Sequence, residues 1–361
     1  EDLAEEIARS VGYDKIPSTV PRLTSQPTSL WAAKSMADLA ILDLAKDTLV
    51  RAGLSESLNF AFTSKSWLSQ LGLKSSALVL NPISEECEAM VPSLLPGLIK
   101  NAMDNWHHHF GSELPSIRLF EFRPTFSSSG NLSAQSEIET GAKETWKVSF
   151  VLSGSRYASG LRNELGEVDF YDLKSVIENL LLALGTKGVR MQPMTASKTG
   201  GNPLFHPGKS VEILAGSGVA GYFGLIHPAL AMKLKTRGPL WMAELDWQAL
   251  AKLSLPTYQS RVFKPWSEFP PMERDFALLI KDDITADKIT QVALKAGKPL
   301  AKVAKIFDIY KGSQVSQGMT SIAVRVIFYD ESRSIQESET EAACSQILSS
   351  WKKELGAELR S

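Results

Sequence analysis

The sequence predicts an α+β protein in which a mainly antiparallel sheet module is followed by a smaller βαββαβ domain. Between residues 30 and 250, strand patterns joined by hairpins alternate irregularly with helices, without the regular βαβ order of a parallel sheet. From residue 274 onward, the patterns run strand, helix, strand, strand, helix, strand. A length of 361 residues suits two or three domains.

The first ten residues, EDLAEEIARS, form a helical pattern that puts three carboxylates on one face. Asp2, Glu5 and Glu6 stand at positions i, i+3 and i+4. They suit an ordinary helix start, with Asp2 as N-cap and Glu5 closing a capping box near the positive end of the dipole. A metal or partner site is the alternative, and the residues alone favour the helix start.

The sheet module is expected to follow a Pro-, Ser- and Thr-rich connector that ends near residue 28. Helical spacing from about Leu30 ends at Gly53, and the next helix is expected to begin around Leu94. The remaining segments are predicted in order as strand ESLNFAF, strand SALVL, strands SIRLFEFRPTF and ETWKVSFVLSG, helix DFYDLKSVIENLLLALG, hairpin and short helix KSVEILAGSGVAGYFGLIHP, and last strand WMAELDWQAL.

A second boundary is predicted near SLPTYQSRVFKPWSEFPP, where prolines and polar residues interrupt the pattern. Beyond it, RDFALLIK, TADKITQVALKAG, LAKVAKIFDIYKG, MTSIAVRVIFYD, SETEAACSQILSSWKKELG and AELR predict the ferredoxin-like order of elements. We therefore expect three parts, at 1–20, 21–262 and 263–361. Such a fold does not by itself name a function.

Composition excludes several broad classes of protein. A net charge of -1 argues against non-specific nucleic-acid binding by bulk charge, so any RNA contact must be local. Cys87 and Cys344 are too few for a disulfide framework or a structural zinc site, which favours the reducing cytoplasm. No apolar run approaches a membrane span, and the start without Met inside a helical pattern predicts a fragment of a longer protein.

Several short motifs have structural explanations. GSGVAG at 216–221 lies between two strand patterns and opens no helix, so a turn is favoured over a dinucleotide site. Consecutive residues His107, His108 and His109 fan out around a helix and cannot converge on one metal. His206 and His227 both precede proline and are expected to be structural.

Basic and aromatic residues of the last domain form a candidate RNA surface. Lys305 and Lys311 belong to its second strand pattern, and Arg325 to its third. Arg325 and Tyr329 are four residues apart, which predicts that they share one sheet face. An arginine and an aromatic ring on an open sheet can stack on unpaired bases. A sheet face decorated for solubility is the equal alternative from these residues alone.

Six segments in register resemble the C-terminal part of the beta subunit of bacterial phenylalanyl-tRNA synthetase. They are DLAEEIARSVGYDKIP, LNPISEECEAMVPSLLPGLI, RLFEFRPTF, DFYDLKSVIENLL, FHPGKSVEI with GLIHP, and FPPMERDFALLI followed by FDIYKG. The resemblance implies the tail of a DNA-binding-like domain, a catalytic-like module with the class II synthetase fold, and a ferredoxin-like anticodon-binding domain.

The central module lacks the residues that an active class II site needs. Active enzymes carry Arg-x-Glu on a strand, whereas the nearest match here separates Arg118 from Glu121 by three positions, so the pleat sends them to opposite faces. No G-x-G-x-x-R motif follows. The resemblance thus implies a non-catalytic module, with ATP used by the alpha subunit of an alpha2-beta2 heterotetramer and with tRNA contacted by the last domain. The family's editing domain is expected before residue 1.

The resemblance also changes the expectation for the first helix. In the family, D-L-x-E-E supplies Mg²⁺ ligands shared with the alpha subunit, and Asp2, Glu5 and Glu6 match it. Hard carboxylate oxygens suit Mg²⁺. A further family acid lies upstream of residue 1, so the site in this chain alone is expected to be empty or weak.

The rival hypothesis is a regulatory protein whose βαββαβ domain senses an amino acid. Such a site usually has a Gly-containing loop after the first strand. Here that loop reads KDDITADK, which has three acids and no Gly.

Overall fold

The computed structural model describes residues 1–19, 29–109, 115–128, 141–157, 166–194, 202–216, 218–259, 263, 266–312, 315–316 and 318–360. Within these ranges, nothing is described of the side chains of 29–38 and 255–259. The chain divides into two compact units, Glu1–Arg261 and Val262–Ser361. Among the residues described, no helix has both the length and the apolar character needed to cross a bilayer.

The first unit combines a large sheet with helices on both of its faces. Its helices are α1 (Asp2–Val11), α2 (Ser29–Arg51), α3 (Lys65–Gln70), α4 (Leu95–His108), α5 (Phe170–Leu184), α6 (Pro228–Leu234) and α7 (Trp247–Gln259). Its strands are β1 (Ser55–Glu56), β2 (Phe62–Thr63), β3 (Ala89–Met90), β4 (Ile117–Ser128), β5 (Ala142–Ser153), β6 (Val189–Pro193), β7 (Phe205–Ala215), β8 (Gly218–Ile226) and β9 (Leu240–Asp246). Short 3-10 turns occur at Tyr13–Lys15 and Glu85–Cys87.

Seven of the described strands form one sheet in the order β1-β4-β5-β9-β8-β7-β6. Its neighbours are antiparallel except at one edge, where β1 runs parallel to β4. One face packs against α2, α5 and α7 through side chains such as Phe120, Phe150 and Leu180. The other packs against α4 and α6 through side chains such as Val151 and Met242. The α+β prediction for this module is confirmed.

Local sequence explains how the principal elements begin, end and pair. Asp169 accepts hydrogen bonds from the backbone N–H groups of Tyr171 and Asp172, which starts α5, and Gly185 ends it at φ 65°. GSGVAG follows β7 and its last four residues belong to β8, so it opens no helix; Ser217 lies outside the described residues. A Cβ at Gly221 would lie 2.5 Å from the backbone oxygen of Glu244, so β8 and β9 need glycine there.

The second unit has the predicted βαββαβ order. Its elements are β10 (Met272–Lys281), α8 (Ala286–Ala296), β11 (Ala301–Tyr310), β12 (Met319–Phe328), α9 (Glu337–Leu355) and β13 (Glu358–Leu359), and the sheet order is β11-β12-β10-β13. Both helices contribute to a core on one face of this sheet, where Trp351 donates from Nε1 to the carbonyl of Ile289 at 2.9 Å. On the other face, side chains such as Glu273, Lys305 and Arg325 are exposed.

Four local expectations were wrong. Only the first and last residues of ESLNFAF, Glu56 and Phe62, lie in strands, at the end of β1 and the start of β2. SALVL forms no strand and makes one isolated bridge, between Leu78 and Ala89. WMAELDWQAL stops being a strand at Asp246, because this carboxylate accepts from the N–H of Ala249 and starts α7. Glu1, not Asp2, occupies the N-cap position of α1 and makes no side-chain cap. The sequence analysis also did not predict α3, β3 or β6.

Candidate functional site

A row of polar residues crosses the α4-facing side of the first unit's sheet. Strand register pairs its members directly, in the order Glu121, Ser149, Glu244, Tyr222, Glu212 and Gln192. The three glutamates are each less than 10% exposed. Burial of a carboxylate is costly unless its oxygens find donors, so the surroundings of each glutamate are informative.

Glu244 is fully engaged in holding the start of α4 onto the sheet. Its carboxylate accepts from Ser93 Oγ at 2.7 Å, from the N–H of Leu94 at 2.9 Å and from Ser149 Oγ at 3.2 Å. Lys147 Nζ lies 2.6 Å from its other oxygen. Glu212 accepts from Gln192 Nε2 at 3.0 Å, and its Oε1 has no hydrogen-bond partner within the described chain. Glu244 therefore acts as a structural clamp between α4 and the sheet.

Glu121 and Arg123 lie at the base of a cavity of about 560 Å³. The N–H and Nδ2 of Asn59 donate to the two oxygens of Glu121 at 2.8 Å each. Arg123 Nη1 lies 3.7 Å from Glu121 Oε1 and donates to the carbonyl of Asn59. A Cβ at Gly97 would lie 2.9 Å from Asn59 Nδ2, so this glycine lets Asn59 reach its place.

Arg118 and Glu121 do not form a nucleotide grip. Glu121 shares a face with Leu119, which packs against the α4-side core, whereas the next residue, Phe120, belongs to the core on the other side. Arg118, an odd number of residues from Glu121, therefore points to the opposite face, as the pleat predicted. There its Nη2 donates to the carbonyl of Arg156 at 3.0 Å.

An apolar ribbon stands at the rim of the same cavity. It comprises β2, β3 and the segment bridged at Leu78, and we call it the ribbon. Large side chains on it and in its flanking loops are exposed: Leu58 88%, Phe60 85%, Phe62 41%, Leu78 56%, Leu80 95% and Ile83 99%. Exposed apolar surface of this extent marks interaction sites.

The predicted metal ligands lie on an isolated face of α1, of which no residue is buried. Glu6 pairs with Arg9, while Asp2 and Glu5 stand exposed in the first turn. Among the described residues, no three His, Cys, Asp or Glu side chains are grouped so as to hold a metal ion. Carboxylate oxygens suit Mg²⁺ chemically, but these three need further ligands from outside the described chain.

The predicted RNA residues lie in or beside the open sheet face of the second unit. Lys305 on β11 is directly opposite Arg325 on β12. Arg325 donates from Nε and Nη2 to Asp275 at 2.8 Å each, and its Nη1 lies 3.2 Å from Glu273. Its hydrogen bond to Asp275 lowers the pKa of that carboxyl and raises the pKa of the guanidinium.

The other two predicted residues lie just beyond strand ends. Lys311 follows β11 and reaches Asp282 at 3.0 Å; the pKa of Asp282 is lowered by hydrogen bonds from Thr320 and then Lys311. Tyr329 follows β12, and the ammonium of Lys302 lies 5.8 Å from its ring centre. Neither lies within a strand, so the prediction that Lys311 and Tyr329 both belong to strands was wrong.

Sequence analysis missed two arginine–aromatic pairs in the second unit. Arg325 lies over the ring of Phe307 at 5.3 Å, and Arg360 lies over the ring of Tyr310 at 5.1 Å. Both rings belong to FDIYKG, so the signal was two half-exposed aromatics on an edge strand. Stacked planes of this kind are what unpaired bases use.

Three of the five histidines make local contacts within the fold. His206 Nδ1 accepts from the N–H of Gly208 at 2.9 Å, and His227 Nδ1 caps α6 by accepting from the N–H of Ala229 at 3.2 Å. His108 Nδ1 lies 2.8 Å from the carbonyl oxygen of Asp104 within α4. The structural interpretation of His206 and His227 agrees with these contacts.

Comparison with known proteins gives consistent matches over nearly the whole chain. The family model described as phenylalanyl tRNA synthetase beta chain CLM domain matches residues 16–247, and that described as ferredoxin-fold anticodon binding domain matches residues 267–360. The chain is 30% identical to the phenylalanine–tRNA ligase beta subunit of Clostridium acetobutylicum, over 100% of this chain and 42% of that protein. It is 31% identical to that of Geobacter metallireducens, over 99% and 43%.

The chain thus spans less than half the length of these curated relatives. Among solved structures, a pyrrolysyl-tRNA synthetase from Desulfitobacterium hafniense aligns with a TM-score of 0.43 and 15% identity, over 63% of this chain and 74% of that one. The family match to residues 16–247 covers well over half of the sequence. The chain therefore belongs to the phenylalanyl-tRNA synthetase beta chain family, with a CLM domain followed by a ferredoxin-fold anticodon binding domain.

Proposed function

We propose that the chain is a non-catalytic, tRNA-contacting part of phenylalanine–tRNA ligase, which attaches phenylalanine to its tRNA at the expense of ATP. The proposal draws on relatives named as the beta subunit of that ligase. ATP is used in the alpha subunit, and this chain holds alpha subunits in an alpha2-beta2 heterotetramer. A reducing cytoplasm suits two free cysteines.

The apolar ribbon is the observation that carries the scaffold role. Its six large side chains expose on the order of 800 Å², which is about the area that one partner contributes to a standard interface. So many large exposed apolar side chains in two short segments, 58–62 and 78–83, favour a binding function. The ribbon is thus the surface proposed to dock the alpha subunit.

The central module is proposed to be non-catalytic because Arg118 and Glu121 point to opposite faces of the sheet. Each is tied to backbone or side-chain groups of its own face, at Arg156 and Asn59 respectively. A nucleotide would need both on one face at the same time. Residues 21–262 are therefore proposed as a module of class II synthetase type that supports assembly.

The open sheet of residues 263–361 is proposed as the anticodon contact. Its cations Lys305 and Lys311 suit phosphates, and Phe307 and Tyr310 suit bases. Each ring is already stacked on an arginine, at 5.3 Å and 5.1 Å. This preformed stacking supports recognition of single-stranded nucleotides.

Residues 1–20 are proposed as the tail of a preceding domain that contributes Mg²⁺ ligands. Asp2, Glu5 and Glu6 would hold the ion together with ligands of the alpha subunit and of the longer protein. These carboxylates would supply hard oxygen ligands, and a Mg²⁺ ion bound only in the complex would stabilise association of the subunits.

Assembly with the alpha subunit tests the proposal. The chain and the alpha subunit of the same organism are co-expressed, and complex mass is measured by light scattering during gel filtration. A complex that contains both chains is expected, and Leu80→Asp should dissolve it, because a charge would be buried at the interface. Leu182→Asp is the matched control, since Leu182 is 78% exposed on α5. Separate peaks for the native chains would contradict the proposal.

A further inference from the structure

Unlike the apolar ribbon, the cavity beside it contains polar and charged groups that can form directed hydrogen bonds. Phe62, Trp67 and Met103 supply apolar lining, while Arg123 and Lys100 supply cations. Pockets of roughly 300–1,000 Å³ with apolar walls and a few placed polar groups typically bind specific chemical groups. At about 560 Å³, this one is large enough for several side chains.

Arg123 is oriented by one hydrogen bond, and its guanidinium keeps donors for a further acceptor. Its Nη1 donates to the carbonyl of Asn59, and its side chain is 13% exposed. Within the described chain, Nε and Nη2 have no acceptor. Glu121 does not supply one, because Asn59 donates to both of its oxygens and the guanidinium is 3.7 Å away. A pre-oriented guanidinium edge of this kind fits a carboxylate, to which it can donate two parallel hydrogen bonds.

The cavity lining carries charges of both signs, with Arg123 and Lys100 against Glu86, Asp104 and Glu121. Lys100 lines it as a second cation, while the exposed residues Glu86 and Asp104 also line it. An anion from bulk solvent would meet those carboxylates, whereas one carried on a docked protein would be delivered past them. The exposed ribbon beside the cavity is far too extensive for a small ligand to cover.

We propose that the partner docked on the ribbon inserts an aspartate or glutamate side chain, flanked by apolar residues, into this cavity to pair with Arg123. The proposal rests on the proposed function, since it takes the alpha subunit as the partner. Arg123 is then an anchor at the centre of the interface, where buried arginines contribute most to affinity.

Two variants test the guanidinium, one without its neighbouring carboxylate and one with both charges removed. Glu121→Gln removes the carboxylate that partly balances Arg123, and Glu121→Gln/Arg123→Met removes both charges together. The dissociation constant of the full chain and the alpha subunit is measured by titration calorimetry, and thermal melting checks the fold of each variant. Arg51→Met removes an exposed cation elsewhere and is the matched control.

The expected result has a defined sign. Glu121→Gln should bind the alpha subunit at least as tightly as the native chain, because the guanidinium is less compensated. The double variant should bind at least tenfold more weakly than Glu121→Gln, and Arg51→Met should match the native chain within twofold.

Three results would overturn the proposal. Binding of the double variant within twofold of Glu121→Gln would show that Arg123 is not an anchor. In that case, loss of binding in Leu80→Asp would still support docking of the alpha subunit on the ribbon. Weaker binding of a fully folded Glu121→Gln variant would mean that the cavity receives a cation. No association of the native chains would reject the proposed function as well. If Glu121→Gln melts early, Asn59→Ala, which removes the side-chain bond to Glu121 Oε2 and frees that oxygen to face Arg123, should weaken binding instead.

Discussion

Arg325 and Asp275 face each other across β12 and β10, and the guanidinium donates to both carboxylate oxygens at 2.8 Å. Glu273 lies 3.2 Å from the remaining edge of the same guanidinium. Two carboxylates thus oppose one cation, and the ring of Phe307 lies against the same guanidinium at 5.3 Å. If tRNA binds here as proposed, we expect planar contacts to matter more than net charge.

Substitutions on the open sheet should separate stacking from charge in tRNA binding. Phe307→Ala should weaken binding by about tenfold at every salt concentration, because base stacking contributes about 1–3 kcal/mol. Lys305→Ala should weaken binding mainly at low salt and reduce the slope of log K against log salt by about one. Filter binding of tRNA at several salt concentrations measures both effects.

Asp275→Asn is the matched charge control for that series. It should strengthen tRNA binding at low salt, because one of the carboxylates that oppose Arg325 becomes neutral. Unchanged affinity in both Phe307→Ala and Asp275→Asn would place the tRNA contact away from this face.

Acid should destabilise the second unit through Glu339. Arg333 donates to its two oxygens at 2.7 and 2.8 Å, and the N–H of Gln336 donates at 3.0 Å. The Arg333 bond is the largest cause that lowers the pKa of Glu339 to about 2, from 4.5. A carboxyl whose folded pKa is depressed stabilises above its unfolded pKa, and this contribution is lost as pH falls toward 2.

NMR titration of the carboxyl carbon of Glu339 measures that shift directly. Arg333→Gln should return the pKa toward its ordinary value and flatten the acid dependence of the melting temperature below pH 4.5. Glu178→Gln, at an exposed i,i+4 pair with Lys174, should leave the acid dependence as it is. A native Glu339 that titrates near 4.5 would contradict the Arg333 contact.

Loss of the Glu244 charge should destabilise the first unit strongly. Glu244→Gln leaves Lys147 without its partner and weakens the bonds to Ser93 and Leu94, so the free energy of unfolding should fall by about 2–4 kcal/mol. Urea denaturation of the chain measures this change. Lys174→Gln, which breaks an exposed pair on α5, should cost less than about 1 kcal/mol. Equal effects of the two substitutions would refute the clamp.

Magnesium affinity should depend on the partner. Calorimetry of the chain alone should detect no Mg²⁺ binding tighter than about 1 mM, because three exposed carboxylates on one helix leave the coordination shell unfinished. The complex should bind more tightly, and Asp2→Asn/Glu5→Gln/Glu6→Gln should abolish the gain. A complex of this triple variant that binds Mg²⁺ as the native complex does would exclude these ligands.

Local sequence was sufficient for the elements whose signals are local. The second unit follows its apolar periods and caps closely, from Thr285 at the start of α8 to Gly356 after α9. The opposite directions of Arg118 and Glu121 were also predictable, because the alternation of a strand needs only the count of residues between them. Asp246 shows the limit, since one capping bond to Ala249 turned a predicted strand into a helix.

What the sequence alone determined, then, is the α+β class of the first module, the βαββαβ order of the second unit and the opposite directions of Arg118 and Glu121. What only the tertiary structure decided is the partner of each polar side chain. Asn59 reaches Glu121 from 62 residues away, and Asp275 reaches Arg325 from 50. Tertiary contacts also decided that SALVL, predicted as a strand, pairs only through the bridge at Leu78 and lies in the exposed ribbon. Periodicity fixes which way a side chain points, whereas strand register between distant segments fixes what it meets.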